Sequence, residues 1–232
     1  MKFSPPLARG RLVRRYKRFL ADVTLATGET ITAHVANPGA MTGLADPGLE
    51  IWLSKSDNPK RKLAWSWELA RVGRYLVGIN AGLPNRLVEE ALGLGIIPEL
   101  AGYAGLRREV RYGTNSRVDF VLSDGSREDC YVEVKNVHLK RGPLAAFPDS
   151  VTARGTRHLQ ELARMAAAGC RAVMLYVVQR ADCNAFTIAG DIDPAYAEAL
   201  ALARRRGVEL LCYTCTIRTT GIRLVKPLRI TI

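Results

Sequence analysis

The sequence lacks any apolar run long enough to cross a membrane or to form the core of a secretion signal. It begins MKFSPPLARGRLVRRYKRF, which is basic and contains prolines where a signal peptide carries an apolar stretch. A membrane-spanning helix needs about 20 consecutive apolar residues. We therefore expect a cytoplasmic protein that does not associate with membranes.

Cysteine is scarce. The five cysteines are an odd number at irregular spacings, which argues against a disulfide framework. Cys212 and Cys215 form one CxxC motif, but the surrounding LLCYTCTI is typical of a strand, where residues three apart point to opposite faces. No second CxxC or HxxxH motif completes a zinc ligand set. We therefore predict that the cysteines are reduced and mostly structural.

Acidic residues are too few to balance the basic ones. The chain has 34 Lys and Arg but 22 Asp and Glu, a formal net charge of +12. Residues 1–80 hold 13 basic and 6 acidic residues, a net of +7, so more than half of the excess lies in about a third of the chain. This charge favours a polyanionic partner, most simply nucleic acid, and a basic surface that serves solubility is the alternative.

Helical patterns are missing from about the first 80 residues. Short runs rich in β-forming residues alternate there with turn signals such as TGE and NPGAMTG. Five strands in a segment of this length predict a small closed β-barrel of the OB type, which we assign to residues 1–83. The five runs are GRLVRRYKRFLADVTL, ETITAHVA, LEIWLSKS, LAWSWELARV and RYLVGIN.

From residue 84 onward, helical and strand-like patterns alternate. PNRLVEEALGLG has the punctuation of a helix, three strand-like runs follow it, and GTRHLQELARMAAAG is an amphipathic helical pattern. The complete order, αβββαβαβ, predicts a mixed sheet flanked by helices in residues 84–232. The predicted fold class is therefore α/β, with two domains.

Basic residues and aromatics are interleaved at two places in the predicted barrel. Cations follow a phosphate backbone while aromatic rings stack on unpaired bases, which is how OB barrels commonly hold single strands. Trp65 shares one strand face with Trp67, so the pair forms either a stacking platform or part of the barrel core, and the core is the commoner outcome. The candidate nucleic-acid-binding residues here are Arg14, Arg15, Lys17, Arg18, Lys60, Arg61, Lys62 and Trp65.

Three charged residues interrupt two apolar, strand-like runs. Asp119 lies in RVDF, and Glu133 and Lys135 lie in EVKNV, where residues two apart share a face. The connecting SDGSRED has the length of a hairpin loop, so the strands should be antiparallel neighbours with Asp119 near Glu133. Buried charges need partners, so the three side chains indicate a site. A surface ion pair on an edge strand is the alternative.

Two carboxylates and a lysine suit phosphodiester hydrolysis. Asp119, Glu133 and the backbone carbonyl of Val134 can hold Mg²⁺, which prefers oxygen ligands and keeps several waters. Such an ion lowers the pKa of a bound water and shields charge on the phosphate. Lys135 can orient that water or stabilise the transition state through its charge.

The segment FPDSVTARGTRHLQEL provides a second set of candidates. Arg154 and His158 lie near the start of the predicted helix, where backbone N–H groups and the helix dipole already favour a phosphate. We interpret Arg154 as a phosphate clamp and His158 as a phosphate or water contact. The competing interpretation is that Thr152 caps the helix and Arg154 anchors the loop.

RVDF, followed 14 residues after Asp119 by EVKNV, resembles the PD-(D/E)XK nuclease superfamily. The chain is more closely similar to the sugar fermentation stimulation protein A (SfsA) family through FSPPLARGRLVRRYKRFLADV, NPGAMTGL, SDNPKRKLAWSWEL, NRLVEEAL, DCYVEVKNVHL, FPDSVTARGTRHLQEL and RRGVELL. The resemblance implies an N-terminal OB-fold domain, a nuclease-like C-terminal domain and DNA binding without strong sequence preference. It also implies a role in regulating sugar use.

The superfamily motif implies a role for individual residues. It assigns Asp119 and Glu133 as metal ligands and Lys135 as the catalytic lysine, although Val118 stands where the superfamily name has a proline. Such nucleases often add an acid from the first helix. A helical wheel places Glu90 at the edge of the apolar face, so we predict Glu90 as the fourth catalytic residue. A solvated helix charge is the alternative.

Together these observations predict a cytoplasmic DNA-binding protein with a Mg²⁺-dependent phosphodiesterase site, Mn²⁺ being the alternative ion. A non-catalytic DNA-binding regulator that retains the nuclease fold is the second hypothesis, and an OB protein that binds RNA is the third. Many nucleases of this fold act as dimers, so the resemblance also admits a homodimer.

Overall fold

The computed structural model, which describes residues 1–113 and 116–232, begins with a closed β-barrel. β1 pairs antiparallel with both β2 and β4, β2 with β3, and β4 with β5, and a parallel pairing of β3 with β5 closes the ring. This connectivity is the five-stranded barrel that the sequence predicts. The strands are β1 Ala8–Tyr16, β2 Leu20–Leu25, β3 Thr30–His34, β4 Glu50–Lys55, β5 Trp65–Val72 and β6 Tyr75–Gly78.

The strands that form the barrel differ from the predicted set. The first predicted strand is in fact two, β1 and β2, joined by a tight turn in which Lys17 and Arg18 have positive φ angles of 46° and 64°. The last predicted strand, β6, lies outside the ring and pairs antiparallel with the end of β5. The turn was missed because hairpin turns with positive φ usually contain Gly, Asn or Asp, whereas this one contains Lys and Arg.

The barrel interior is filled by alternate residues of its strands. Trp67 is fully buried in it, and its indole N–H donates to the Leu69 carbonyl at 2.9 Å. Trp65 is half-buried against the same core, with the Lys55 ammonium 5.2 Å from its ring centroid. The tryptophan pair is therefore core, the commoner of its two predicted fates.

The C-terminal part is a mixed sheet with helices on both faces, and its order is β15-β14-β12-β9-β8-β7. The β7–β8 and β8–β9 pairings are antiparallel, whereas β12 is parallel to both β9 and β14. The sheet is formed by β7 Gly105–Tyr112, β8 Ser116–Ser123, β9 Cys130–Val137, β12 Arg171–Val178, β14 Glu209–Arg218 and β15 Gly221–Pro227.

A smaller sheet has the order β10-β11-β13-β16. The sequence did not predict these strands, because runs of two to four residues carry too little pattern. They are β10 Leu139–Arg141, β11 Leu144–Phe147, β13 Ala185–Ile188 and β16 Arg229–Ile230.

Three helices flank the main sheet within the described residues: α1 Pro84–Gly93, α2 Ala153–Ala167 and α3 Pro194–Arg205, and a single 3₁₀ turn spans Pro98–Leu100. α1 buries Leu87 and Val88 on one face of the sheet, and α2 buries Leu159 and Leu162 on the other. Each such side chain contributes about 1.5–3 kcal/mol by leaving water. The Thr152 hydroxyl caps α2 by accepting from the Gly155 N–H at 3.1 Å. None of the helices in the described ranges is long and apolar enough to cross a membrane.

The barrel is attached to the C-terminal sheet by apolar packing of Trp52 and Leu69 and by polar contacts. The Gly78 N–H at the end of β6 donates to the Gln179 carbonyl at 2.8 Å, just after β12. The Met41 N–H of the β3–β4 connection donates to an Asp149 carboxylate oxygen at 3.2 Å. These contacts leave a cleft between the two domains.

Candidate active site

The cleft between the domains has a volume of about 660 Å³. One wall is the barrel, through the β1–β2 turn and the start of the β3–β4 connection, and the other is the segment that leads into α2. Strands β8 and β9 and the first turn of α1 form the floor. The polar side chains that line it are Arg18, Asn37, Asn85, Asp119, Glu133, Lys135, Asn136, His138, Asp149, Ser150, Thr152, Arg154 and His158.

Asp119, Glu133 and Lys135 meet on this floor. Phe120 of β8 lies opposite Val132 of β9, a register that brings Asp119 to the level of Glu133. The Lys135 ammonium donates to Glu133 Oε1 at 2.7 Å, since the two residues share a strand face. Asp119 Oδ2 accepts from the Val134 N–H at 2.7 Å. The structure therefore brings together the three charges that the two strands were predicted to present.

His158 joins this cluster from α2. Its Nδ1 contacts Glu133 Oε1 and lies 3.2 Å from the Lys135 ammonium. Its Nε2 accepts from Arg154 Nε at 3.2 Å, so the ring proton is assigned to Nδ1, where it is donated to Glu133. His158 is 5% exposed, and its Nδ1 is directed at the Glu133 carboxylate. Arg154 remains exposed at the edge of the cleft.

The two carboxylates differ in their acidity. Burial raises the pKa of Asp119 to about 6, with a further increase from the negative charge of Glu133. Burial also acts to raise the pKa of Glu133, but the Lys135 charge and the His158 hydrogen bond outweigh it, and the pKa lies below its ordinary value. Glu133 is therefore held as a carboxylate in a site where water is largely excluded.

The cluster fits a hard divalent cation. Glu133 is 2% exposed and its Oε2 has no hydrogen-bond partner among the described residues, which is costly for a buried carboxylate unless a cation completes it. Each Asp119 oxygen accepts one hydrogen bond, which leaves a lone pair on each. No group of three or more His, Cys, Asp or Glu in residues 1–113 and 116–232 is arranged as a metal site. The protein donors available to a cation here are therefore two carboxylates, and Mg²⁺ tolerates water as its remaining ligands.

Glu90 does not reach the cluster, which corrects its predicted position. Its carboxylate contacts the amino group of Met1, on a different part of the surface. Asn85 lies near Asp119 instead, and its side-chain amide donates to Asp119 Oδ1 at 2.7 Å. Asn85 and Glu90 are five residues apart and so differ by about 140° around the helix axis. The apolar face of α1 thus identified the buried side but not which edge turns toward the strands.

The predicted nucleic-acid-binding residues fall into two groups. Arg18 and Arg154 line the cleft on opposite walls. Arg15 lies behind Arg18 and donates to the Asn37 and Gly39 carbonyls at 2.9 and 3.0 Å. The others lie on the barrel outside the lining of the cleft: Arg14, which pairs with Asp22 at 2.9 Å, Lys17, Lys60, Arg61, Lys62 and Trp65.

The sequence analysis missed a second carboxylate–histidine pair in the same cleft, formed by Asp149 and His138. His138 Nε2 lies 3.0 Å from Asp149 Oδ2, and its Nδ1 lies 3.5 Å from the Asn37 amide. The Asn37 amide also donates to the Ile79 carbonyl at 2.9 Å. The loop sequence NPGAMTG was the available signal for Asn37. His138 had no sequence signal, because Asn37 is 101 residues away along the chain.

Comparison with known proteins finds a matching family profile for each half of the chain. The profile of the SfsA N-terminal OB domain matches residues 13–79, and that of the sugar fermentation stimulation protein RE domain matches residues 82–221. A sugar fermentation stimulation protein homolog of Paramagnetospirillum magneticum is 57% identical over 98% of this chain and 97% of its own length. A homolog of Rhodospirillum centenum is 58% identical over 99% of each chain.

A solved structure has the same architecture. The structure of Pyrococcus furiosus SfsA in complex with Ca²⁺ superposes with a TM-score of 0.91 at 27% identity, covering 100% of this chain and 98% of that one. The barrel and the mixed sheet are therefore shared by a distant relative.

Proposed function

The chain belongs to the sugar fermentation stimulation protein family, and from that premise we propose that it binds nucleic acid and hydrolyses phosphodiester bonds in the cleft with a divalent metal ion. One observation carries the proposal. Asp119, Glu133 and Lys135 converge in a cleft, and one oxygen of the buried Glu133 has no partner within the described residues.

Asp119 and Glu133 would hold the ion, together with the Val134 carbonyl, and Mg²⁺ or Mn²⁺ suits these oxygen donors. When bound, the ion would acidify a water ligand and neutralise charge on the phosphate oxygens. The Pyrococcus furiosus relative was solved as a complex with Ca²⁺. This supports a hard divalent cation in this chain as well.

The side chains around the proposed ion would have separate roles. Lys135 presents a cation next to Glu133, where it can orient the attacking water and stabilise negative charge that develops on the phosphate. His158 acts through Glu133, because its N–H fixes the orientation of that carboxylate and favours its ionised form. Arg154 is exposed at the mouth of the cleft and can bind a phosphate of the same strand.

The net charge of +12 and the arginines of the cleft support a polyanionic substrate, with DNA as our first choice and RNA as the alternative. We also propose that the protein works in the cytoplasm. Control of sugar use, as the family name suggests, would then operate through nucleic acid.

The test is cleavage of labelled single-stranded and double-stranded DNA and RNA in Mg²⁺, Mn²⁺ or EDTA. The wild type is compared with Glu133→Ala and Lys135→Ala, with Arg205→Ala as a control on the exposed surface of α3. We expect metal-dependent cleavage that both site variants lose while nucleic-acid binding persists. Binding in every condition without cleavage, even in Mn²⁺, would contradict the proposal and favour a non-catalytic regulator.

A further inference from the structure

The shape of the cleft carries information about the substrate beyond its chemistry. We infer that the segment bound in the cleft is an unpaired strand of nucleic acid, held between Arg18 on the barrel wall and Arg154 on the α2 wall. The inference rests on the proposed function, because it assumes that the ligand is a phosphodiester chain.

The size of the cleft suits an unpaired segment of nucleic acid. The cleft has a volume of about 660 Å³. It lies within the range of roughly 300–1,000 Å³ that suits one compact ligand, such as a short stretch of unpaired nucleotides.

The reacting groups lie too deep to be reached from outside the cleft. The side chains of Glu133 and Lys135 are 3% and 13% exposed. A phosphate must therefore enter between the walls to contact them. An unpaired backbone can bend into such a space, as it does in enzymes that act on single strands or extruded nucleotides.

Fixed contacts hold the two walls at this spacing. Asp149 of the α2 wall accepts from the Met41 N–H of the barrel wall at 3.2 Å. Gly39 lies against the same carboxylate so closely that a Cβ at this position would overlap it. Widening the cleft for a duplex would break these contacts and those of β6 with Gln179.

The β1–β2 turn also favours a role for Arg18. Lys17 and Arg18 both have positive φ, an arrangement that is unfavourable for residues with long side chains. Arg15 stabilises the turn, since its Nε donates to the Arg18 carbonyl at 3.0 Å while its Nη2 bonds the Asn37 and Gly39 carbonyls. The turn and the barrel wall are therefore one rigid unit that holds a cation at the edge of the cleft.

Fluorescence anisotropy in EDTA tests the inference without cleavage. The probes are a labelled single strand of about 12 nucleotides, its blunt duplex and the duplex with an unpaired 3′ or 5′ extension. We expect the single strand and the extended duplexes to bind at least about tenfold more tightly than the blunt duplex. Equal affinity for the blunt duplex would overturn the inference.

Two variants that each remove one positive charge show where the single strand binds. Arg18→Ala should weaken single-strand binding about tenfold and lower the slope of log affinity against log salt by about one. Arg205→Ala, on the exposed end of α3, should change neither measurably. If the two variants behave alike, Arg18 has no special role and the inference fails.

Failure of this inference differs from failure of the proposed function. Metal-dependent cleavage of blunt duplex and single strand at equal rates would support the function but overturn the strand preference. A preference for single strands without cleavage in any metal would support the preference and contradict the hydrolytic function.

Discussion

The cleft contains two carboxylate–histidine pairs that look alike in composition but differ in their surroundings. Asp149 contacts His138, and its carboxylate also accepts from the Met41 N–H and, weakly, from the Ser150 hydroxyl. Glu133 contacts His158 and Lys135 through one oxygen, whereas its other oxygen has no partner within the described residues. The first pair is satisfied by the protein and the second is not.

Under the proposed function, this difference separates a structural pair from a functional one. The hydrogen bonds of Asp149 connect the barrel to the C-terminal domain, so its charge stabilises the fold. Glu133 instead lines a cleft that can admit a cation or a phosphate, and one of its oxygens has no partner within the described residues. Hydrogen-bond satisfaction, and not residue type, distinguishes the two roles.

The largest expected effect is on catalysis. Glu133→Gln keeps the size of the side chain but removes the charge that would hold the proposed metal, so we expect cleavage to fall at least about a hundredfold. The matched change in the other pair, Asp149→Asn, should keep cleavage within about threefold of the wild type at a temperature where it is folded. Equal losses in single-turnover assays would remove the distinction between the pairs.

The next effect is on stability. Asp149→Ala leaves the Met41 N–H and His138 without their acceptor, so we expect the free energy of unfolding to fall by about 2–4 kcal/mol. The control is Asp191→Ala, whose side chain is 65% exposed and pairs with Arg141, and it should lower the free energy of unfolding much less. Urea denaturation followed by circular dichroism measures both, and similar costs would show that Asp149 does not secure the interface.

A smaller effect is expected from the partner of Asp119. Asn85→Ala removes the amide that orients this carboxylate, so affinity for Mg²⁺ or Mn²⁺ should fall roughly tenfold. Asn58→Ala, in an exposed barrel loop, should leave affinity unchanged. Calorimetric titration with the metal alone gives the comparison, and an unaltered affinity in Asn85→Ala would limit Asn85 to a structural role.

The smallest effect is a pH dependence of stability. Burial acts to raise the pKa of Asp149, but the hydrogen bond and Coulomb interaction with His138 and the hydrogen bond from Met41 outweigh it, so the pKa lies below its ordinary value. Its contribution is therefore present above the unfolded-state pKa, about 3.9, and is lost as the pH falls through the lower folded-state pKa. The stability gap between the wild type and Asp149→Asn should narrow from pH 6 to pH 3. A constant gap would contradict this origin.

Much of the fold was predictable because its signals are local. The barrel and the order of α1, β7, β8, β9, α2, β12, α3 and β14 followed from periodicity and turn residues. The sequence analysis merged β1 and β2 into one strand. Lys17 and Arg18 adopt positive φ at the turn between them, and no glycine or asparagine there indicates a turn. Contacts of neighbouring elements, including those of Arg15, hold that turn.

The candidate site shows the same limit. The alternation of β9 and the length of the hairpin were enough to bring Asp119, Glu133 and Lys135 together. The prediction for Glu90 was wrong, because the rotation of α1 about its axis depends on how the whole helix packs on the sheet.

Which side chains share a strand face follows from the order of residues alone, because the two-residue period of a strand leaves no freedom in that respect. The excess of positive charge follows from composition in the same way. Only the tertiary packing decides which carboxylate has hydrogen-bond partners for both oxygens and which has an oxygen without one. The partners of Asp149 include Met41, which lies 108 residues earlier in the chain. Such contacts form only when the barrel packs against the C-terminal sheet, and that packing also sets the width of the cleft.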